Sequence, residues 1–190
     1  MKLVRQSVML LLLFTVITGL LYPLVVTGGA RLLFPDQADG SLVRQGGKVV
    51  GSALIGQSFT SPKYFWGRLS ATTPAPYTAT ASTPSNLGPT NPALTKAASD
   101  RIAALRAADP GNTVEVPVDL VTASGSGLDA EISPAAAEYQ VGRVARARGL
   151  TRDRVDELIA GATRGRQWGL FGEPGVNVLA LNMALDSAVK

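Results

Sequence analysis

The first 30 residues constrain this chain more than any other stretch. Residues 8–26 (VMLLLLFTVITGLLYPLVV) carry no charged side chain. As a helix, such a run rises roughly 28 Å, close to the ~30 Å hydrocarbon thickness of a bilayer. It is the one such run, and the rest of the sequence reads as a water-soluble domain. The expected organisation is an N-terminal segment, residues 1–30, with a transmembrane helix at about residues 7–27, then a soluble domain over residues 31–190. Thr15, Thr18, Gly19 and Pro23 lie inside the apolar run. Small and hydroxyl residues let a second helix approach closely, and the backbone group freed by Pro23 needs a partner. A neighbouring helix is therefore expected.

Lys2, Arg5 and the α-amino group precede the span, whereas Arg31 is the nearest basic residue after it. Acidic residues weigh little in orientation, so this bias favours a cytoplasmic N-terminus and an extracytoplasmic domain. The competing reading is a cleaved signal peptide, with Gly28, Gly29 and Ala30 as small residues near a cleavage site. The apolar run exceeds the usual h-region of about 7–15 residues, which favours a retained anchor. Cysteine is absent, which suits an extracytoplasmic domain without identifying one.

Composition excludes several chemistries. With neither histidine nor cysteine, His/Cys metal sites and Ser-His-Asp or Cys-His catalysis are ruled out. No stretch fits G-x-x-x-x-G-K-[ST], so a Walker A phosphate loop is missing, as is the Asp-Lys-Thr-Gly sequence of a phosphorylated pump. Of the 18 basic side chains, two precede the span, leaving 16 against 14 acidic ones in residues 31–190. A balance of +2 is no nucleic-acid footprint. Arg143, Arg146, Arg148, Arg152 and Arg154 cluster locally and are expected to form a solvated helix face.

The soluble part is long enough for one core. Residues 48–55 (KVVGSALI) suit a strand. Residues 70–92, rich in Ser, Thr and Pro, read as a long loop. Asn91-Pro92 opens a helix to about Ala108, and Asp109-Pro110-Gly111-Asn112 turns the chain. Residues 114–121 alternate like a strand, with Pro117 placing it at an edge or bulge. Ser133-Pro134 starts a helix that Gly149 stops after Arg148. Thr151 and Asp153 start another, ending near Gly161 with Val155, Leu158 and Ile159 on its apolar face. Residues 176–179 form a short strand before a last helix. The expected class is α+β: one N-terminal transmembrane helix, then a single mixed α+β extracytoplasmic domain.

Several stretches are denser in Gly, Ser, Asn and Asp than a core requires. They are residues 51–59 (GSALIGQSF), 64–71 (YFWGRLSA), 85–92 (SNLGPTNP), 116–129 (VPVDLVTASGSGLD), 132–140 (ISPAAAEYQ), 143–145 (RVA) and 176–182 (VNVLALN). In this order and spacing, over nearly the whole chain, they resemble the C subunit of the Kdp potassium-transporting ATPase (the KdpC family). The resemblance implies a small non-catalytic subunit of an ATP-driven, high-affinity potassium uptake complex in the bacterial cytoplasmic (inner) membrane. It implies three protein partners: a channel-like potassium-translocating subunit, a P-type ATPase subunit and a very small single-span subunit. Family members often have Arg-Pro-Ser-Ala where this chain has Arg68-Leu69-Ser70-Ala71, Ser-Gly-Gly-Ser-Asn at Ser82-Thr83-Pro84-Ser85-Asn86, and proline at Gly142.

The motifs supply the candidate functional and interface residues: Gly56, Gln57, Arg68, Ser70, Ser85, Asn86, Asp119, Ser124, Ser126, Asp129, Gln140, Arg143, Asn177 and Asn182. Gln140 lies mid-helix on a largely apolar face, which suits a buried amide bonded to backbone. The resemblance implies instead a contact with ATP within the complex, the chain binding no cofactor alone. A domain outside the membrane meets no cytosolic ATP, which counts against that role. Ser124-Gly125-Ser126-Gly127 reads as a turn, or as a loop touching a partner or an ion path. Asp119, Asp129 and Glu131 suit caps and surface charge, with potassium guidance as the alternative. Two other functions compete with the transport subunit. One is an anchored envelope hydrolase using Ser52 and Lys48, whose i, i+4 spacing on a strand separates them by about 13 Å. The other is a secreted binding protein.

Overall fold

A computed structural model describes residues 1–188 of the chain. Two units are distinguished, Met1–Val50 and Gly51–Lys190. In the first, α1 (Lys2–Val16), a π-helical turn (Ile17–Leu21) and α2 (Tyr22–Leu33) form one continuous 32-residue helix. Its most apolar window has a mean hydropathy of 2.4 and no buried residue, so it is long and apolar enough to cross a membrane. The π turn has a local cause. In a regular α-helix the Pro23 ring would collide with the carbonyl of Gly19, and Pro23 has no N–H to offer. Widening the preceding turn, with the Tyr22 N–H donating to the Ile17 carbonyl, accommodates the ring. The Thr15 and Thr18 hydroxyls donate to the carbonyls of Leu11 and Phe14 at 2.8 and 2.7 Å, so both are satisfied within their own helix. A short helix α3 (Pro35–Ala38) and a hairpin of β1 (Leu42–Gln45) and β2 (Lys48–Ser52) follow. Gly46 and Gly47, with φ of +57° and +79°, make its turn. Two left-handed residues give the twist that joins adjacent antiparallel strands.

The strand expected over 48–55 ends at Ser52, because the chain there doubles back. The Ile55 N–H donates to the Ser52 carbonyl and the Leu54 N–H to Ser52 Oγ. The loop expected over residues 70–92 is one up to Asn91, where α4 takes over, and it contains one 3-10 turn (Ala79–Ala81). The loop is pinned at several points, with the Thr83 N–H and Ser82 Oγ both donating to the Ser126 carbonyl.

The helices of the second unit begin with α4 (Pro92–Ala108), capped by Asn91 Oδ1 on the Ala93 N–H. The segment expected to be a strand over 114–121 is not one. It runs irregularly to Pro117 and then forms a single helical turn, α5 (Val118–Val121), closed by the Leu120 N–H on the Pro117 carbonyl. Pro117 removes a ladder donor and is well placed at a turn start. The alternation does not survive: Val118 and Leu120, two residues apart and so on one face of a strand, are exposed and fully buried respectively.

A three-stranded antiparallel sheet of order β3-β5-β4 is built from β3 (Glu131–Ile132), β4 (Thr163–Arg164) and β5 (Gly175–Asn177). Ile132 and Thr163 both stand opposite Val176. The helices α6 (Pro134–Arg148), α7 (Arg152–Ala162) and α8 (Val178–Ala188) pack with it. The α6 boundaries follow from capping. Ser133 Oγ accepts the Ala136 N–H, and Gly149, at φ +67°, closes the far end. There the Leu150 N–H reaches the Ala145 carbonyl and the Gly149 N–H that of Arg146, a Schellman arrangement. Thr151 caps α7 on the Arg154 N–H. The strand expected over 176–179 stops at Asn177, whose Oδ1 accepts the Ala180 N–H and starts α8 two residues early. The core gathers Phe65, Leu105, Leu120, Val141, Val144, Val155, Val176, Leu181 and Leu185.

Candidate functional site

Residues 62–68 form a strap that begins in a turn, with the Tyr64 N–H on the Ser61 carbonyl, and continues without helix or strand, although Phe65, Trp66 and Gly67 are buried. Buried backbone polar groups need partners, and no neighbouring strand supplies them here. Side chains do so instead. On α8, Asn182 Oδ1 accepts the Phe65 N–H at 2.8 Å and Nδ2 donates to the Phe65 carbonyl at 3.0 Å. On α6, Gln140 treats the next residue in the same way. Its Oε1 accepts the Trp66 N–H at 2.8 Å, and its Nε2 donates to the carbonyls of Trp66 and Ala136, both at 3.1 Å. Each amide therefore replaces one rung of a β ladder. Both side chains are about 1% exposed.

Cationic side chains complete the clamp. The Arg143 guanidinium donates to the carbonyls of Pro62 and Tyr64 and to Gln140 Oε1, and it stacks 4.8 Å from the Trp66 ring centre. Burial pushes it down from its ordinary value to about 10, so it stays charged at neutral pH. Arg101 of α4 donates to the carbonyls of Gly67 and Leu120 and lies over Trp66, and burial lowers its pKa as well. Arg148 donates to the Lys63 carbonyl and pairs with Asp186, which also accepts the Tyr64 hydroxyl. The expected solvated basic face is thus corrected in part. Arg146, Arg152 and Arg154 are exposed, but Arg143 and the Arg148 side chain are buried against the strap. A strap with four unpaired carbonyls is a strong reason to draw guanidinium groups inward.

A second cluster gathers the serine-rich motifs. Ser70 Oγ donates to the Gly127 carbonyl at 2.6 Å and accepts the Tyr77 N–H at 2.9 Å. The Tyr77 hydroxyl donates to the Arg68 carbonyl, and burial raises its pKa. Arg68 pairs with Asp129 Oδ2 at 3.1 Å, while Asp129 Oδ1 accepts the Glu131 N–H. Ser126 Oγ accepts the Leu128 N–H, as a turn serine does. Ser124 is 3% exposed, and its hydroxyl has no hydrogen bond among the described residues. Gly56 donates its N–H to the Leu128 carbonyl. A side-chain carbon on Gly56 would strike the Tyr77 ring and lie 2.5 Å from the Asp129 carbonyl oxygen. That oxygen cannot rotate away, so Gly56→Ala is expected to destabilise the chain by about 2 kcal/mol and lower its melting temperature by roughly 6 °C. Thermal unfolding of the full chain in detergent checks this, and an unchanged melting temperature would dissolve the packing argument.

The remaining candidates lie apart from these two groups or on their margins. Gln57 covers Gly51, where a side-chain carbon would meet its amide. Asn177 Nδ2 donates to the Ala53 carbonyl. Ser85 is half-buried, and Asn86 is exposed with φ +52°. Asp119 accepts both the N–H and the hydroxyl of Ser133, fixing the start of α6. Glu131 pairs with Arg164 through both oxygens. Among the described residues, no group of three or more acidic side chains converges as a metal site. A cleft of about 520 Å³ beside α6 is lined by Asp109, Asn112, Glu138, Tyr139, Arg146 and Arg152, and Gln140 is not among its lining residues. Its rim is bridged by the Asp109–Arg146 and Glu138–Arg152 ion pairs.

Comparison with known proteins decides the family. The family model for the c chain of K+-transporting ATPases (KdpC) matches residues 4–187. The chain belongs to the KdpC family. It is 63% identical over 185 residues to the potassium-transporting ATPase KdpC subunit of Variovorax paradoxus (strain S110), covering 97% of this chain and 96% of that one. It is 62% identical over 186 residues to the protein of the same description from Burkholderia orbicola (strain MC0-3), covering 98% and 96%. The one from Sorangium cellulosum (strain So ce56) is 61% identical over 184 residues, covering 97% of both. As a KdpC family member, the chain is a subunit of a potassium-transporting ATPase. Arg101 and Asp186 were not singled out from the sequence; Trp66 stood only within the 64–71 motif and Arg148 only in the basic cluster expected to be solvated, so the part these four play in the clamp was not foreseen. The polar residues set within apolar helical runs, Gln140 and Asn182, were its only available sign.

Proposed function

We propose that this chain is a non-catalytic accessory subunit that stabilises an ATP-driven potassium uptake complex in the bacterial cytoplasmic membrane. The helix Lys2–Leu33 anchors it, with the N-terminus cytoplasmic and the second unit outside. Its partners are the potassium-translocating subunit, the P-type ATPase subunit and the small single-span subunit. One observation carries the reading: the motif polar groups are spent on internal structure. Gln140, Asn182, Arg143 and Asp119 each bond to the chain's own backbone or caps. Such an arrangement preserves the shape of a binding surface. It also disfavours Gln140 as an ATP ligand, because a nucleotide contact would require opening a buried network.

The test compares potassium-stimulated ATPase activity of the purified complex with and without this chain. The expected result is co-purification of the intact chain and loss of activity on its omission. Unchanged activity without the chain, or failure to associate, would overturn the assignment.

A further inference from the structure

The connection between β4 and β5 exposes three large apolar side chains: Trp168 at 84%, Leu170 at 74% and Phe171 at 59%. Trp168 and Phe171 meet edge-to-face, 6.0 Å apart. Trp168 has φ +54° and Gly169 φ +75°, a reversal that forms the tip. From Gln167 to Gly172 there is no charge. At the base Arg166 pairs with Glu173, and Arg164 with Glu131. The tip also satisfies much of its own backbone. Gln167 and Phe171 exchange N–H···O bonds at 2.8 and 3.0 Å, and the N–H groups of Gly169 and Leu170 donate to the carbonyls of Arg166 and Gln167.

From these features we infer that the tip inserts into the headgroup–acyl boundary of the bilayer that holds the N-terminal helix. A backbone entering the interface does so at lower cost when its hydrogen bonds are made internally, as four N–H groups of this tip are. Trp and Phe favour the interfacial layer, and the charges at the base, paired with one another, stay at the polar headgroup level. Three side chains fall well short of the roughly 800 Å² per partner of a stable protein interface, whereas lipid requires no matching surface. The chain's own 32-residue apolar helix places a bilayer within tethered reach, so a weak contact suffices. This inference rests on the anchored reading above.

The full chain, reconstituted in phosphatidylcholine–phosphatidylglycerol vesicles with and without brominated acyl chains, tests it. The sequence has two tryptophans, and Trp66 is buried in the core, a built-in reference. Bromine is expected to quench the Trp168 share of the emission and to leave the Trp66 share. Trp168→Ser and Phe171→Ser together should still float with the vesicles but lose the quenchable part. Emission from Trp168 quenched by aqueous acrylamide and untouched by bromine would overturn the inference. So would protection that appears only when the other subunits of the complex are added, which would assign the tip to a protein contact. Failure of the wild-type chain to float would overturn the anchored reading itself, and this inference with it.

Discussion

Replacing Gln140 by leucine is expected to destabilise the fold by about 4 kcal/mol, since three buried groups lose their partner and each such loss costs about 1–3 kcal/mol. The groups are the Trp66 N–H, the Trp66 carbonyl and one nitrogen of Arg143. Leucine fills similar space and supplies no polar atom. The Ala136 carbonyl keeps its helix partner, so its loss counts for little. For a chain of this size the melting temperature should fall by roughly 8–16 °C. Thermal unfolding of the full chain in detergent measures this, and the same variant assembled into the complex separates two roles. A bracing glutamine lowers the melting temperature and the yield of assembled complex together. A nucleotide ligand would leave the melting temperature unchanged and raise the KM for ATP, an outcome that would sink the bracing role.

Arg143→Met carries the second large effect, a loss of about 3 kcal/mol. Arg143 is 4% exposed and bonds to three neutral oxygens rather than to a carboxylate. Methionine matches the apolar stem but leaves the Pro62 and Tyr64 carbonyls without their donor. Lysine should recover less than half of the loss, because one ammonium cannot span three acceptors held in different directions. Combined with Gln140→Leu, the losses should fall short of additivity by roughly 1–2 kcal/mol, since the two side chains share a hydrogen bond. The pH dependence has a definite sign. Burial holds the folded-state value near 10, below that of an ordinary guanidinium. Between those values the unfolded chain binds more protons at this site, so its contribution to stability rises with pH there. At neutral pH the group is protonated in both states, so the variant's stability profile should run parallel to that of the wild type. Denaturant titrations of the full chain across neutral pH check both points. Full additivity, or a change of slope near neutrality, would contradict this network.

Much of the fold was legible because the deciding physics is local. Ser133-Pro134 and Gly149 marked both ends of α6, since a cap needs only its own side chain and the next few amides. Asn91-Pro92 and Thr151 likewise marked the starts of α4 and α7. The hairpin at Gly46-Gly47 was missed, although a glycine pair between two short runs containing Leu42-Val43 and Val49-Val50 is a recognisable turn signal. Residues 114–121 misled because Val114, Val116, Val118 and Leu120 alternate in sequence, yet of these four only Leu120 is buried, the chain forming a helical turn from Val118 in place of a paired strand. The arginine cluster misled for a different reason. Charge predicts exposure unless a buried acceptor is waiting, and the acceptors here are carbonyls some 80 residues earlier in sequence.

By itself, then, the sequence determined the apolar helix, the caps that bound the later helices, the chemistries excluded by missing histidine and cysteine, and the ordered motifs of the KdpC family. Each is written in neighbouring residues or in composition. Only the tertiary structure decided that Gln140 and Asn182 grip consecutive residues of one strap, that Arg143 is buried without a carboxylate, and that Trp168 protrudes while Trp66 is enclosed. Those outcomes depend on which distant backbone groups lack partners once helices and sheet have packed, a long-range property that no local pattern encodes.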